Sequence, residues 1–119
     1  MPDRFVILHH RLDAGEHWDL MLEQGQILET WQFLRDPTDR TSFPMPARRI
    51  ADHRLAYLTY EGPISRGRGS VRRVDAGIYS IERSEPASLV IRLNGILVQG
   101  GFVLTQSAGG ADVVFDQSL

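Results

Sequence analysis

The sequence predicts a mainly β fold, a small antiparallel β-barrel of about eight strands with little helix, on three observations. Short apolar or alternating runs recur along most of the chain, turn signals separate them at regular spacing, and no segment sustains a helical period. One core accommodates a chain of 119 residues, and no linker, repeat or low-complexity stretch interrupts it, so residues 1–119 are read as a single domain.

The elements follow in chain order. Phe5 to Leu8 is an apolar strand. His17 to Glu23 alternates, placing Trp18, Leu20 and Leu22 on one face and His17, Asp19, Met21 and Glu23 on the other, which must meet solvent or a barrel interior. Gln24-Gly25 turns the chain into a returning strand, Gln26 to Leu34, where Trp31 reads as core. Prolines among Asp, Thr and Ser make Arg35 to Pro46 a loop. Arg48 to His53 fits one helical turn, and Leu55 to Glu61 a strand. The glycines from Gly62 to Gly69 make a loop before the strand Ser70 to Asp75, and Ala76-Gly77 reads as a turn into Ile78 to Arg83. After Pro86 come Leu89 to Leu93, an Asn94-Gly95 hairpin, the run Ile96 to Thr105, a Gly109-Gly110 turn and a last strand, Val113 to Phe115.

Composition excludes several function classes. The chain has no Cys, which removes disulfide scaffolds, thiolate nucleophiles, Cys-ligated zinc and iron–sulfur sites; any metal must take His and carboxylate ligands. No apolar run approaches the roughly 20 residues of a membrane span, and no secretory signal pattern opens the chain, so the expectation is a cytoplasmic protein without a membrane partner. The net charge is -2, but it is segregated. Residues 40–73 hold Arg40, Arg48, Arg49, Arg54, Arg66, Arg68, Arg72 and Arg73 against Asp52 and Glu61, a local +6, while the remainder sums to -8. A focused basic region on an acidic body suits a local anionic ligand better than a long polyanion. Every basic residue is arginine, whose planar fork matches phosphate oxygens in pairs.

All four histidines lie within the first 53 residues. His17 and Asp19 project from one face of a strand, about 7 Å apart at the backbone, and can converge on one ion. If the opening strand pairs beside them, His9 or His10 supplies a third ligand, leaving positions open for water and substrate. The stretch from Gly62 to Gly69 lacks the Gly-Lys-Ser/Thr ending of a phosphate-binding loop and precedes no helix, so it reads as a hairpin loop; its Arg66 and Arg68 reach a phosphate only from a mobile loop.

These fragments, taken in order, resemble the 3'-phosphoesterase domain of bacterial multifunctional DNA ligase D. Phe5-Val6-Ile7 followed by His, then His17-Trp18-Asp19-Leu20-Met21-Leu22-Glu23, is similar to the family's opening, and Trp31 with Pro37 to its Trp and Pro-rich segment. Asp52-His53 with Leu55 and Tyr57, Tyr60-Glu61-Gly62, Gly67 to Val71 and Asp75-Ala76-Gly77-Ile78-Tyr79 resemble its later landmarks, so the match runs from about Phe5 to Leu104. The resemblance implies a β-barrel that binds manganese and removes 3'-phosphates or 3'-terminal ribonucleotides from DNA ends, with a DNA ligase or polymerase as partner. Carried over by position, it implies His17 and Asp19 as ligands with His10 or His9, and His53 as a phosphate contact. Arg48 and Arg49 are both candidates for a further phosphate-binding arginine.

Two departures define a second reading. Met21 stands where the family has an arginine two residues after its metal-binding Asp, and the family's N-terminal arm has no counterpart before Phe5. Either another arginine substitutes, or the chain is a catalytically reduced nucleic-acid end-binding module of the same fold. A third reading, an iron oxygenase using His17, Asp19 and a distal His53, has suitable ligand types, but His53 lies too early in the chain for it.

Overall fold

The computed structural model describes residues 3–106 and 113–118. Among these residues nine strands form one antiparallel sheet: β1 Asp3–Leu12, β2 Gly15–Gln24, β3 Ile27–Phe33, β4 Met45–Arg54, β5 Gly62–Pro63, β6 Ser70–Glu85, β7 Ser88–Asn94, β8 Gln99–Gln106 and β9 Val113–Ser118. Their order is β1-β2-β3-β4-β9-β8-β7-β6-β5, and an additional β1–β6 pairing closes a ring of 8 strands, with β5 attached outside it. The expected antiparallel barrel is therefore the fold, with short 3-10 turns at Arg40–Ser42 and Leu55–Leu58 as its only helical elements among the described residues. No helix among them is long and apolar enough to cross a membrane.

Strand alternation produces two apolar layers. Phe5, Ile7, Leu20, Leu22, Phe33, Ile91, Phe102 and Phe115 point into the ring and are nearly inaccessible to solvent. Each such side chain contributes about 1.5–3 kcal/mol relative to exposure. The opposite face of β1 and β2 carries a smaller cluster of Val6, Leu8, Met21, Leu28, Leu58 and Val71. Leu55, Tyr57 and Ile64 pack against it, so the turn at Leu55–Leu58 and the loop after β5 roof the outside of the wall. The face of β2 holding His17 and Asp19 thus looks away from the barrel interior, toward a partly covered outer surface.

Four local expectations change. Arg48 to His53 is not a helical turn but part of β4, which pairs with β3 and also with β9. Closing the ring requires a strand there, and that tertiary demand overrides a weak local preference. Leu55 to Glu61 is not a strand: Leu55 and Leu58, three apart, put two apolar groups on one side of a 3-10 turn, the side that meets the outer cluster. Ala76-Gly77 is no turn, because β6 runs unbroken through it; a Cβ on Gly77 would collide with the Asn94 carbonyl, so glycine here permits close backbone approach. Strand β8 starts at Gln99, not Ile96, because residues 95–98 form the loop. The Gly109-Gly110 turn lies outside the described residues.

A buried carboxylate anchors that 95–98 loop. Asp75 is 4% exposed, and its carboxylate accepts hydrogen bonds from the backbone N–H groups of Ala76 (2.8 Å), Ile96 (2.8 Å), Leu97 (3.0 Å) and Val98 (2.8 Å). Loop amides that would otherwise lie unpaired are satisfied together.

Tyr79 ties the same wall to β2 by donating its hydroxyl proton to the Glu23 carbonyl at 2.7 Å. Burial, aided by the negative charge of Asp3, pushes its pKa up to about 12 from 10.0. The folded chain therefore holds this proton through a range where the unfolded chain releases it. Stability that Tyr79 contributes below about pH 10 is expected to be lost as pH rises toward 12. Urea midpoints across that range should fall less steeply for Tyr79→Phe; parallel curves would contradict the assignment.

Candidate metal centre and phosphate site

In the β1–β2 ladder, His10 pairs with His17 and Leu8 with Asp19. Paired residues and alternate residues share a face, so His10, His17 and Asp19 project together from the outer surface, beside the Met21 cluster. One ligand atom from each lies within 4.8 Å of the others. His10 Nδ1 is 3.0 Å from His17 Nε2, which is 3.4 Å from Asp19 Oδ2.

The donor chemistry fits a divalent cation. Asp19 is 3% exposed, and its Oδ1 is buried without a hydrogen-bond partner. A buried carboxylate left this way is costly unless a positive charge meets it. His10 Nε2 lies 2.7 Å from the Arg68 carbonyl, which can only accept, so Nε2 carries the proton and in the neutral ring Nδ1 presents a lone pair to His17 and Asp19. Gly69 makes that contact accessible: a Cβ there would strike the Arg11 carbonyl, and without one the 64–69 loop presses against the end of β1. Two imidazoles and a carboxylate suit manganese, iron or zinc.

Strand parity separates the two candidate third ligands. His9 points to the opposite face, stacked on Trp18 at 4.6 Å and 7°, with Nε2 2.5 Å from Glu16 Oε1. It is not brought to His17 and Asp19. His53 lies on the outer face, since it pairs with Leu28 of the outer cluster, but it is not among the converging ligands. Its Nδ1 lies 2.9 Å from the Ala51 carbonyl and 3.1 Å from Thr30 Oγ1, whose own proton goes to the Leu28 carbonyl. Nδ1–H is thus the donor, and Nε2 is left for other partners.

The arginines divide the same way. A register row crosses the wall from Leu8 through Asp19 and Gln32 to Arg48, two strands from the carboxylate. Arg48 is exposed and forms no ion pair among the described residues. Arg49 belongs to the opposite face, where it contacts Asp52 at 2.6 Å and Glu29 at 3.6 Å and lies over the Trp31 ring. Arg66 sits in a left-handed backbone conformation at the exposed loop tip. Arg68 is folded back on its own loop, donating to the Ser65 carbonyl at 2.9 Å. Arg73 stands in the basic region without a local motif that marks it out from its neighbours. It pairs with Leu8 across β1–β6, so it flanks Asp19 from the side opposite Arg48. Only the ladder between distant strands reveals that position, and no local motif signals it.

With this geometry in view, the comparisons with known proteins are specific. The family model described as the DNA Ligase D 3'-phosphoesterase domain matches residues 8–106. The chain is similar to the Multifunctional non-homologous end joining protein LigD of Mycobacterium bovis, at 30% identity over 88% of this chain and 15% of that protein. The Multifunctional non-homologous end joining DNA repair protein LigD of Mycobacterium tuberculosis matches at the same identity and coverage, and the LigD of Mycolicibacterium smegmatis at 26% identity over 90% of this chain and 16% of its own length. The chain therefore spans about one-seventh of the length of the first of these relatives, which it matches over 15%.

Proposed function

This chain belongs to the DNA Ligase D 3'-phosphoesterase domain family, and from that premise we propose that it is a metal-dependent phosphoesterase acting on 3' ends of DNA or RNA-tipped DNA. It removes a 3'-phosphate or a 3'-terminal ribonucleotide in end repair in the cytoplasm. The observation that carries the reading is the convergence of His10, His17 and Asp19, a buried carboxylate whose Oδ1 lacks a partner, on one point of the outer wall.

Those three residues would hold a divalent ion, with manganese the preferred candidate. When bound, the ion supplies Lewis acidity, neutralising phosphate charge and lowering the pKa of a water. Arg48, with Arg73 on the other flank, binds non-bridging phosphate oxygens and aligns the ester bond over the ligand set. His53, its Nδ1–H committed to the Ala51 carbonyl, donates from Nε2 in its protonated form to charge developing on those oxygens. Arg66 reaches the strand behind the reacting end from the loop tip, whereas Arg49 is occupied on the far side of the wall. The product of phosphate removal is a free 3'-hydroxyl, the group that a polymerase extends and a ligase seals, so a partner of either kind is the natural consumer.

Met21 favours a second reading. It is 2% exposed within the outer apolar cluster, so no cation reaches the phosphate from that position, and an end-binding module without turnover is the alternative. A primer ending in a 3'-phosphate separates the two. We expect phosphate release with manganese, none after chelation, and none from His17→Ala. Salt-sensitive binding to the phosphate end without release would establish the binding module instead.

A further inference from the structure

Beside the ligand set, the residues that roof the outer wall form a groove of about 330 Å³ lined by Arg54, Tyr57, Tyr60, Pro63, Ile64 and Arg68. We propose that this groove docks a nucleobase of the single strand immediately upstream of the reacting 3' end, with Tyr60 as its stacking platform. The inference rests on the 3'-end reading above and adds to it the site for the neighbouring nucleotide.

Three observations lead there. The groove joins the centre at two points: Tyr57 meets the His53 ring edge-on at 5.5 Å, and Arg68, on its wall, gives its carbonyl to His10. Its chemistry is mixed in the way single-strand sites are, with aromatic surface for a base and the cations Arg54 and Arg68 for the flanking phosphates. Neither arginine forms an ion pair among the described residues, so both charges remain available to a polyanion. The groove is also preorganised. Tyr60 is partly exposed but not loose: its hydroxyl donates to the Pro63 carbonyl, its ring meets Tyr57 at 5.9 Å, and a Cβ on Gly62 would press on its hydroxyl. Ile64 N–H closes the adjacent loop onto Gly69 O at 2.7 Å, and Arg68 is held by Ser65. A fixed ring loses little entropy when a base stacks on it. An apolar protein segment would find this slot flanked by two unpaired cations, which favours the nucleic-acid occupant.

The test is a cycle of substitutions on both partners, read by fluorescence anisotropy rather than turnover. The probe is a labelled single-stranded oligonucleotide with a 3'-phosphate, carrying an abasic site at the second or third nucleotide from that end. Wild-type protein is expected to bind the intact strand about 5- to 100-fold more tightly than one of the abasic strands, the range of a base–aromatic stack. Tyr60→Ala should weaken binding of the intact strand by a similar factor and abolish the difference between intact and abasic strands. Tyr60→Leu, which keeps apolar volume but removes the ring, should behave the same way and guards against misfolding of the alanine variant. Additive losses, abasic strands that bind as well as intact ones, or no measurable binding would overturn the proposal. Phosphate release is assayed separately, so stacking without catalysis would sink the phosphoesterase reading alone.

Discussion

Replacing Asp19 with asparagine is expected to reduce metal-dependent phosphate release by about 100-fold or more while making the metal-free protein more stable. The two effects have one cause. Among the described residues, Asp19 holds a carboxylate in the wall with one oxygen lacking any partner, a costly arrangement that a bound cation would offset. Neutralising the charge lowers the desolvation cost, which is about 1–3 kcal/mol for an unsatisfied buried polar group and larger for a charged one. It also removes a ligand, and even the outer partners of metal ligands are worth about 10- to 100-fold in affinity or activity. Urea unfolding in chelator gives the first quantity and the 3'-phosphate assay the second. Chelation should destabilise wild-type protein previously loaded with manganese and leave Asp19→Asn unchanged, because only a state that binds the ion gains from it. A variant that unfolds earlier than wild type in metal-free buffer, or that turns over normally, contradicts the assignment.

Asp75→Ala should be the most damaging single change outside the site, at about 3–5 kcal/mol. Its carboxylate satisfies four backbone donors, three of them in the 95–98 loop. Truncation leaves them partly buried and unpaired, and each lost buried partner costs about 1–3 kcal/mol before water relieves the exposed ones. For a domain of this size the melting midpoint falls by roughly 10–25 °C. Asp75→Asn keeps one acceptor and should lie between. A loss under about 1 kcal/mol for the alanine variant would mean that the loop is held by something else.

The ring itself was legible in the sequence because it is written in alternation and turns, and both are local. So was the pairing of His17 with Asp19, which needs only a strand period of two. His9 against His10 could not be decided, since adjacent residues face opposite ways and the choice depends on which phase of β1 faces its neighbour. Gly77 misled for a related reason: glycine marks a turn and a close backbone crossing alike, and only Asn94, far along the chain, tells them apart. Arg48 and Arg73 owe their positions to ladders across β3–β4 and β1–β6. A side chain's role assigned by a distant strand leaves no trace in its immediate neighbours.

The pairing of His10 with His17 across one hairpin has a consequence for how the site comes into being. The three candidate ligands lie on two strands joined by a two-residue connection, so little chain must be closed to bring them together. Arg73 arrives only when β6 docks on β1 and shuts the ring, a contact between segments far apart in sequence that forms slowly. The candidate ligands therefore meet within one hairpin, whereas the Arg73 flank of the anion site waits for ring closure. A nascent chain can present the first long before it has assembled the second.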